Sequence, residues 1–169
     1  ADNLEGVGNR KTDMSLGGGS LLDIGVYPLF LCYVVLGIPT EILAKSNFHH
    51  TGADLQTSMI LQYENAQAIL HSSFVSTSNI KATINGTKGR INLNTLWHQT
   101  QSYTLNVDNQ EEEFLLPTKG KGFTYEIEEC HQCINENRIE STLWSHQNSL
   151  DLIKIVDQVR NLIGLEYPS

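Results

Sequence analysis

The sequence predicts an α+β fold in which one open, mostly antiparallel β-sheet carries helices on one face. Three observations favour this class: an apolar helical segment lies at 21–36, short alternating runs follow from 41 to 116, and two amphipathic helical patterns close the chain. Alternation of apolar and polar residues over consecutive short runs indicates antiparallel strands with one covered face. The 169 residues, of which 40% are apolar, suffice for a single domain with its own core, and we treat residues 1–169 as one domain.

The first predicted element is a helix from Leu21 to Leu36. Glycines occupy positions 17–19 before it, and Gly37 is a typical stop signal. Ser20 is the predicted N-cap, and Asp23 lies three residues further on in an arrangement like a capping box. The helix is apolar on almost every side, which predicts a central position in the core.

Pro28 predicts a kink in this helix, because its ring cannot donate a hydrogen bond to the carbonyl of Ile24. The longest uninterrupted apolar run, Leu29 to Leu36, is far too short to cross a bilayer. We therefore expect no membrane partner.

Seven strands are predicted from the alternating pattern and the turn residues between them. They lie at 41–48, 55–63, 66–75, 79–85, 90–94, 103–107 and 113–116. A sheet with helices on one face leaves its other face open, and an exposed apolar sheet face usually marks an interface. We therefore predict a homodimer built on that open face, with apolar surface contributed by Met59, Leu61, Ile80 and Ile84.

Two amphipathic helices are predicted after the strands. The first carries a stripe of Phe123, Ile127, Cys130 and Ile134. The second follows Ser145 as a candidate cap, and its buried stripe is Leu152, Ile155, Val156, Val159 and Ile163.

Composition excludes several classes of function. Eleven Lys and Arg stand against nineteen Asp and Glu, and the scattered basic residues form no stripe, which argues against a nucleic-acid partner. Three cysteines, an odd number, favour free thiols in a reducing cytosol, so we expect a cytoplasmic protein. Cys130 and Cys133 have Cys-x-x-Cys spacing but stand alone on a helix, and we expect no metal site.

Asp23 and Tyr27 are the candidate chemical pair. They are four residues apart and so share one face of an otherwise apolar helix, where a carboxylate needs a partner or a cavity. Gly25 lies between the two residues and allows another group to approach the backbone closely, as do the glycines at 17–19. The N-terminal end of a helix also attracts anions. In the alternative interpretation Asp23 only caps the helix and Tyr27 packs in the core; spacing alone leaves both open.

Residues 17–28, Gly-Gly-Gly-Ser-Leu-Leu-Asp-Ile-Gly-Val-Tyr-Pro, resemble the motif that opens the C-terminal domain of the Gfo/Idh/MocA oxidoreductases. The closest resemblance is to the branch with dihydrodiol and D-xylose dehydrogenases, where the last motif position is Tyr rather than His. The turn at 85–89 and the segments 123–126 and 140–146 also resemble this family. The resemblance extends over nearly all of the chain from about residue 13.

The resemblance implies a C-terminal domain like that of glyceraldehyde-3-phosphate dehydrogenase, preceded in the family by a Rossmann domain. That first domain holds NAD or NADP and a catalytic Lys on a Glu-Lys-Pro motif, which this sequence lacks. We therefore expect the C-terminal half of an NAD(P)-dependent dehydrogenase or reductase acting on a sugar, polyol or diol hydroxyl. Without the first half we expect no bound cofactor and no activity.

The resemblance also assigns roles to three residues. Tyr27 matches the family's proton-transferring Tyr, and Asp23 matches its substrate-orienting acid. Arg10 lies in the loop before the motif and is a candidate substrate contact. A free phenol has a pKa near 10, so a neighbouring Lys ammonium and an oxidised nicotinamide would be needed to favour the phenolate.

Two other functions remain open at this point. The chain could be a binding or regulatory module that has lost catalysis, or a scaffold that only dimerises, because a fold hosts many functions. The presence of both Asp23 and Tyr27 favours the enzyme.

Overall fold

A computed structural model describes residues 9–120 and 122–168 and confirms the α+β class. Its helices are α1 (Val26–Leu36), α2 (Phe123–Asn135) and α3 (His146–Ile163), with a π-helical turn at Leu21–Gly25 and 3-10 turns at Met14–Leu16 and Trp97–Gln99. Its strands are β1 (Glu41–Phe48), β2 (Asp54–Gln62), β3 (Gln67–Ser73), β4 (Ala82–Asn85), β5 (Gly89–Leu93), β6 (Ser102–Val107) and β7 (Gln110–Leu115).

The strands form two sheets rather than the single sheet that the sequence predicts. Strands β1, β2 and β3 pair in that order, and β4 to β7 form a second, four-stranded sheet. The chain accordingly divides into two compact units. Unit 1 contains the described residues up to 77 and from 146 onward, and unit 2 contains residues 78–145.

Unit 1 owes its core to the period-two pattern of its strands. Thr57, Met59 and Leu61 of β2 are buried, while the residues between them face outward. Because antiparallel neighbours are in register, the inward residues of all three strands line one face, and α1, α3 and the π-helical turn cover it. Burial of each such aliphatic side chain contributes about 1.5–3 kcal/mol. Met59 and Leu61 therefore belong to the core, which corrects their assignment to an open interface.

The outer face of the same sheet carries an apolar row. Leu43 lies opposite Ile60, and Ile60 lies opposite Ile69, so the three side chains line up across the strands. Their exposed fractions are 57%, 36% and 78%. This row, the Leu43–Ile60–Ile69 row, is the exposed apolar surface of the sheet in unit 1.

Helix α1 is less central than predicted. Leu29 and Cys32 are buried in the core and Tyr33 accepts a hydrogen bond from Asn148 of α3 at 2.9 Å. The other side of α1 is exposed at Phe30, Val34, Val35 and Leu36. The helix thus buries one side only.

The segment Met14–Leu36 is long and apolar enough to cross a membrane by length and composition. In the structure it is a 3-10 turn, a glycine-rich turn and a helix, and Leu21 and Leu29 are fully buried against the sheet of unit 1. A helix that packs in a protein core can be as long and as apolar as one that spans a membrane, so length and composition do not distinguish the two.

Unit 2 is a meander of four antiparallel strands followed by α2. Tyr103 and Phe114 stack across β6 and β7 with ring centroids 5.0 Å apart. None of its described residues is fully buried. The predicted stripe of α2 is exposed in this chain at Phe123, Ile127, Cys130 and Ile134, so the helix is present but its apolar face is not covered as the pattern predicts.

Candidate functional site

The helix that carries the candidate pair begins with a π-helical turn. Asp23 lies in that turn, and Tyr27 is the second residue of α1. A π-helical turn has more residues per turn than an α-helix and occurs often at functional sites. Pro28, at which the sequence predicts a kink, is the third residue of α1 and follows the π-helical turn closely; proline and π-helical turns are both known causes of helix kinks.

Asp54 caps the start of this helix, and the predicted cap at Ser20 is wrong. Ser20 has helical backbone angles, and its side chain makes no cap bond. Oδ2 of Asp54 accepts hydrogen bonds from Oγ of Ser20 at 2.7 Å, from N–H of Leu21 at 2.9 Å and from Oγ1 of Thr57 at 2.8 Å. The carboxylate of β2 thus takes the place of an N-cap side chain at the positive end of the helix.

The glycines before the helix serve this packing. Gly19 has φ of 137°, and a Cβ there would overlap with Oδ1 of Asp54. A Cβ on Gly18 would lie 2.8 Å from the backbone N of Asp13, and one on Gly25 would lie 3.1 Å from Oγ of Ser72. The prediction that these glycines permit a close approach is confirmed, but protein groups make that approach.

Arg10 and Asp23 form an ion pair. Nη1 of Arg10 donates to Oδ1 of Asp23 at 2.9 Å, with side-chain exposures of 68% and 26%. The hydrogen bond to Asp23, reinforced by its charge, raises the pKa of Arg10 above its ordinary value. Two of the three residues picked out from the sequence are therefore in direct contact.

The loop that carries Arg10 is tied to the β1–β2 hairpin. Oγ1 of Thr51 donates to the carbonyl of the buried Thr12 at 2.7 Å. The ammonium of Lys11 lies 5.2 Å from the ring centre of Phe74 after β3. These contacts fix the loop against unit 1 and leave the Arg10 side chain at the surface.

Tyr27 is 46% exposed, so it is not a core residue. It lies one helical turn after Asp23, on the surface of unit 1. The alternative interpretation of the motif, a cap and a core phenol, therefore fails at both positions: Asp54 provides the cap, and the phenol reaches the surface.

Sequence reasoning missed Asp54 and Ser72. Both are buried, and Oγ of Ser72 lies 3.1 Å from Oγ of Ser20. An Asp at the start of an alternating strand is the only signal in the sequence. Its partners at the helix start, Leu21 and Ser20, are 33 and 34 residues away along the chain, and no local pattern predicts such a pairing.

The described residues fit neither a metal ion nor the phosphates of a dinucleotide. No group of three or more metal-binding side chains exists among residues 9–120 and 122–168. The glycine-rich turn ends at a helix start, where phosphate would be favoured, and there the carboxylate of Asp54 accepts from the Leu21 N–H and the Ser20 hydroxyl. The anion at this helix start is thus a side chain of the protein itself.

The curated relatives of this chain are dehydrogenases. The chain is 32% identical over 154 residues to scyllo-inositol 2-dehydrogenase (NADP(+)) of Bacillus subtilis, covering 91% of this chain and 47% of the relative. It is 35% identical over 171 residues to trans-1,2-dihydrobenzene-1,2-diol dehydrogenase of Xenopus tropicalis, covering 94% and 51%. The chain thus spans about half the length of the curated relatives it matches.

Solved structures share the fold. A 3-ketoreductase from Actinomadura kijaniata in complex with NADP and TDP-benzene superposes with a TM-score of 0.78 at 23% identity, over 94% of this chain and 50% of that one. An aldose-aldose oxidoreductase from Caulobacter crescentus, complexed with glycerol, gives 0.77 at 18% identity, over 90% and 48%. Residues 2–92 match the GFO/IDH/MocA C-terminal domain. The chain belongs to the Gfo/Idh/MocA oxidoreductase family, of which it is a C-terminal domain.

Proposed function

We propose that this chain is the substrate-handling half of an NAD(P)-dependent oxidoreductase that acts on a hydroxyl of a sugar, polyol or diol. The observation that carries the proposal is the surface cluster of the opening motif, in which Asp23 pairs with Arg10 and the phenol of Tyr27 lies one turn away. The names of the relatives, dehydrogenases of an inositol and of a dihydrodiol, support the substrate class.

The cofactor belongs, in this proposal, to a Rossmann half that precedes the domain in the intact protein. Support comes from the chain's coverage of only about half of each curated relative and from the turn at Gly19, which Asp54 fills. The domain alone is then inactive, because nicotinamide accepts or supplies the hydride in this class of reaction.

The three residues divide the remaining work. Tyr27 transfers the proton of the reacting hydroxyl, which must leave or arrive whenever a hydride moves at the same carbon. Asp23 accepts hydrogen bonds from substrate hydroxyls and orients them. Arg10 supplies donors and neutralises that carboxylate, so the pair presents no net charge, which suits an uncharged polyhydroxylated substrate.

Replacing Tyr27 with Phe in the intact protein tests the proposal. Turnover should fall by about a hundredfold to ten-thousandfold, the scale of losing a general acid–base group. Substrate affinity should change much less, because Phe keeps the ring. Steady-state kinetics measures both quantities.

The matched control is Tyr125→Phe, at another partly exposed tyrosine, on α2 of unit 2. It should leave turnover close to normal. Normal turnover in Tyr27→Phe as well would refute the catalytic assignment and favour the binding module or the scaffold.

We further propose that the protein is a cytoplasmic homodimer without nucleic-acid or membrane partners. The Leu43–Ile60–Ile69 row supports the homodimer, because isologous pairing of two such rows would remove them from water. The three free cysteines suit a reducing compartment.

A further inference from the structure

Asp54 is the most completely enclosed ionisable group among the described residues, with no exposed surface. Its carboxylate collects three hydrogen bonds on Oδ2, and two of the three donors, Ser20 and Leu21, belong to the start of the motif helix. A buried carboxylate is costly unless it is paired. The three bonds hold Oδ2 against the helix start, whereas the buried Oδ1 has no hydrogen-bond partner among the described residues.

The sheet contacts both ends of the π-helical turn through Ser72. Oγ of Ser72 on β3 lies 3.1 Å from Oγ of Ser20, and Gly25 packs so closely on Ser72 that a Cβ there would be 3.1 Å from the hydroxyl. Asp23 lies within the five-residue turn Leu21–Gly25, between Ser20 and Gly25. A π-helical turn is rare and persists where its surroundings determine it.

We propose that Asp54 is a positioning residue, which sets the π-helical turn and thereby the placement of Asp23 and Tyr27. This inference rests on the proposed function for its effect on turnover, but not for its effect on the turn itself. Asp54 touches no reacting atom; it acts through Ser20 and the amide of Leu21. Because a displacement of about 1 Å at a reacting group can cost on the order of a hundredfold in rate, loss of this anchor matters for catalysis.

The test compares Asp54→Asn with Val159→Ala in the intact protein. Val159 is fully buried in the same core on α3 and takes no part in the hydrogen bonds of Asp54, so its truncation lowers stability without removing the anchor. Both variants should melt at lower temperature. At a temperature where both are folded, Asp54→Asn should lower kcat by about tenfold to a hundredfold with a smaller change in KM, and Val159→Ala should keep kcat near normal.

Hydrogen exchange gives a readout that needs no activity. The amides of residues 21–27 should exchange faster in Asp54→Asn than in Val159→Ala when the two are compared at equal stability. Equal kcat and equal exchange in the two variants would overturn the inference. If Asp54→Asn does not fold, Ser20→Ala replaces it and removes one of the two bonds to the helix start.

The two proposals fail in different ways. A large loss of turnover in Tyr27→Phe, with Asp54→Asn indistinguishable from Val159→Ala, overturns the positioning inference alone. Normal turnover in Tyr27→Phe overturns the proposed function, and the exchange of residues 21–27 then decides the positioning inference by itself.

Discussion

Among single residues, the ion pair of Arg10 and Asp23 shows how a site can be both charged and neutral overall. Arg10 is largely open to solvent at 68% exposure and Asp23 is half-buried at 26%, and an ion pair with an exposed partner contributes little to stability. In the proposed function the pair serves the substrate more than the fold.

Asp23→Asn should weaken substrate binding more than it slows the chemical step. The amide keeps the shape but loses the charge, and charge-assisted hydrogen bonds are about twice as strong as neutral ones. KM should rise by roughly tenfold, with a smaller fall in kcat, as measured by steady-state kinetics.

Asp108→Asn is the control for this change. Asp108 lies in the β6–β7 turn with φ of 52°, a backbone conformation that Asn tolerates well. It should leave both constants unaltered. An unchanged KM with a strongly reduced kcat in Asp23→Asn would show that the carboxylate acts in the transition state rather than in orientation.

The sequence could predict that Asp23 and Tyr27 lie one helical turn apart, because they are four residues apart, and the contact of Arg10 with Asp23 joins the preceding loop to them. It could not predict Asp54, because the bond between Asp54 and Ser20 depends on how β2 packs beneath the helix. Ser20 was a reasonable cap by residue type; its hydroxyl instead donates to a carboxylate that is a stronger acceptor.

Among the elements, α1 shows how burial changes the acidity of a side chain. Cys32 on its inner side is buried, and burial raises the pKa of its thiol to about 11. Burial, and to a smaller extent the charge of the Cys32 thiolate, raises the pKa of Tyr63 to about 12. Both groups are therefore neutral in the folded protein at ordinary pH.

Thiol labelling at about pH 8 should find one fast cysteine, Cys130, which is exposed, and a slower one, Cys133. Burial and the hydrogen bond to Glu129 raise the pKa of the half-buried Cys133, and the thiolate is the reactive form. Cys32 is enclosed and protonated and should be the slowest. The third thiol should appear only on unfolding. Three equally fast thiols in the native protein would contradict the packing of α1.

The raised pKa also has a consequence for stability, with a definite sign. The preference of the folded state for the neutral thiol of Cys32 contributes fully to the free energy of unfolding below pH 9.0, the ordinary pKa of a cysteine. That contribution is lost as the pH rises toward about 11, the pKa of Cys32 in the folded protein. Alkaline loss of melting temperature should be smaller in Cys32→Ala than in the unaltered chain.

Strand positions could be predicted to within a few residues, since alternation directly reports which face of a strand is covered. The pattern does not say which strands pair, so the division into two sheets was not predictable. The exposed stripe of α2 was not predictable either, because amphipathicity indicates that a helix face needs a cover but not that the cover is in the same chain.

For the chain as a whole, the exposed Leu43–Ile60–Ile69 row leads to a test of assembly. Ile69→Lys places a charge at the most exposed residue of the row, on β3, and burying an unpaired charge in a contact is costly. Light scattering at micromolar concentration should report twice the chain mass for the unaltered domain and the single mass for this variant.

Ile139→Lys is the control, because Ile139 is 90% exposed in unit 2 and lies outside the row. It should leave the dimer intact. A monomeric unaltered domain, or a dimer that survives Ile69→Lys, would place the contact elsewhere.

The three glycines at 18, 19 and 25 have a consequence for anyone who redesigns this domain. Each one faces a different neighbour: the backbone of the loop that carries Arg10, the carboxylate of Asp54, and the hydroxyl of Ser72. Libraries that randomise the motif to change substrate choice should therefore keep these three codons fixed.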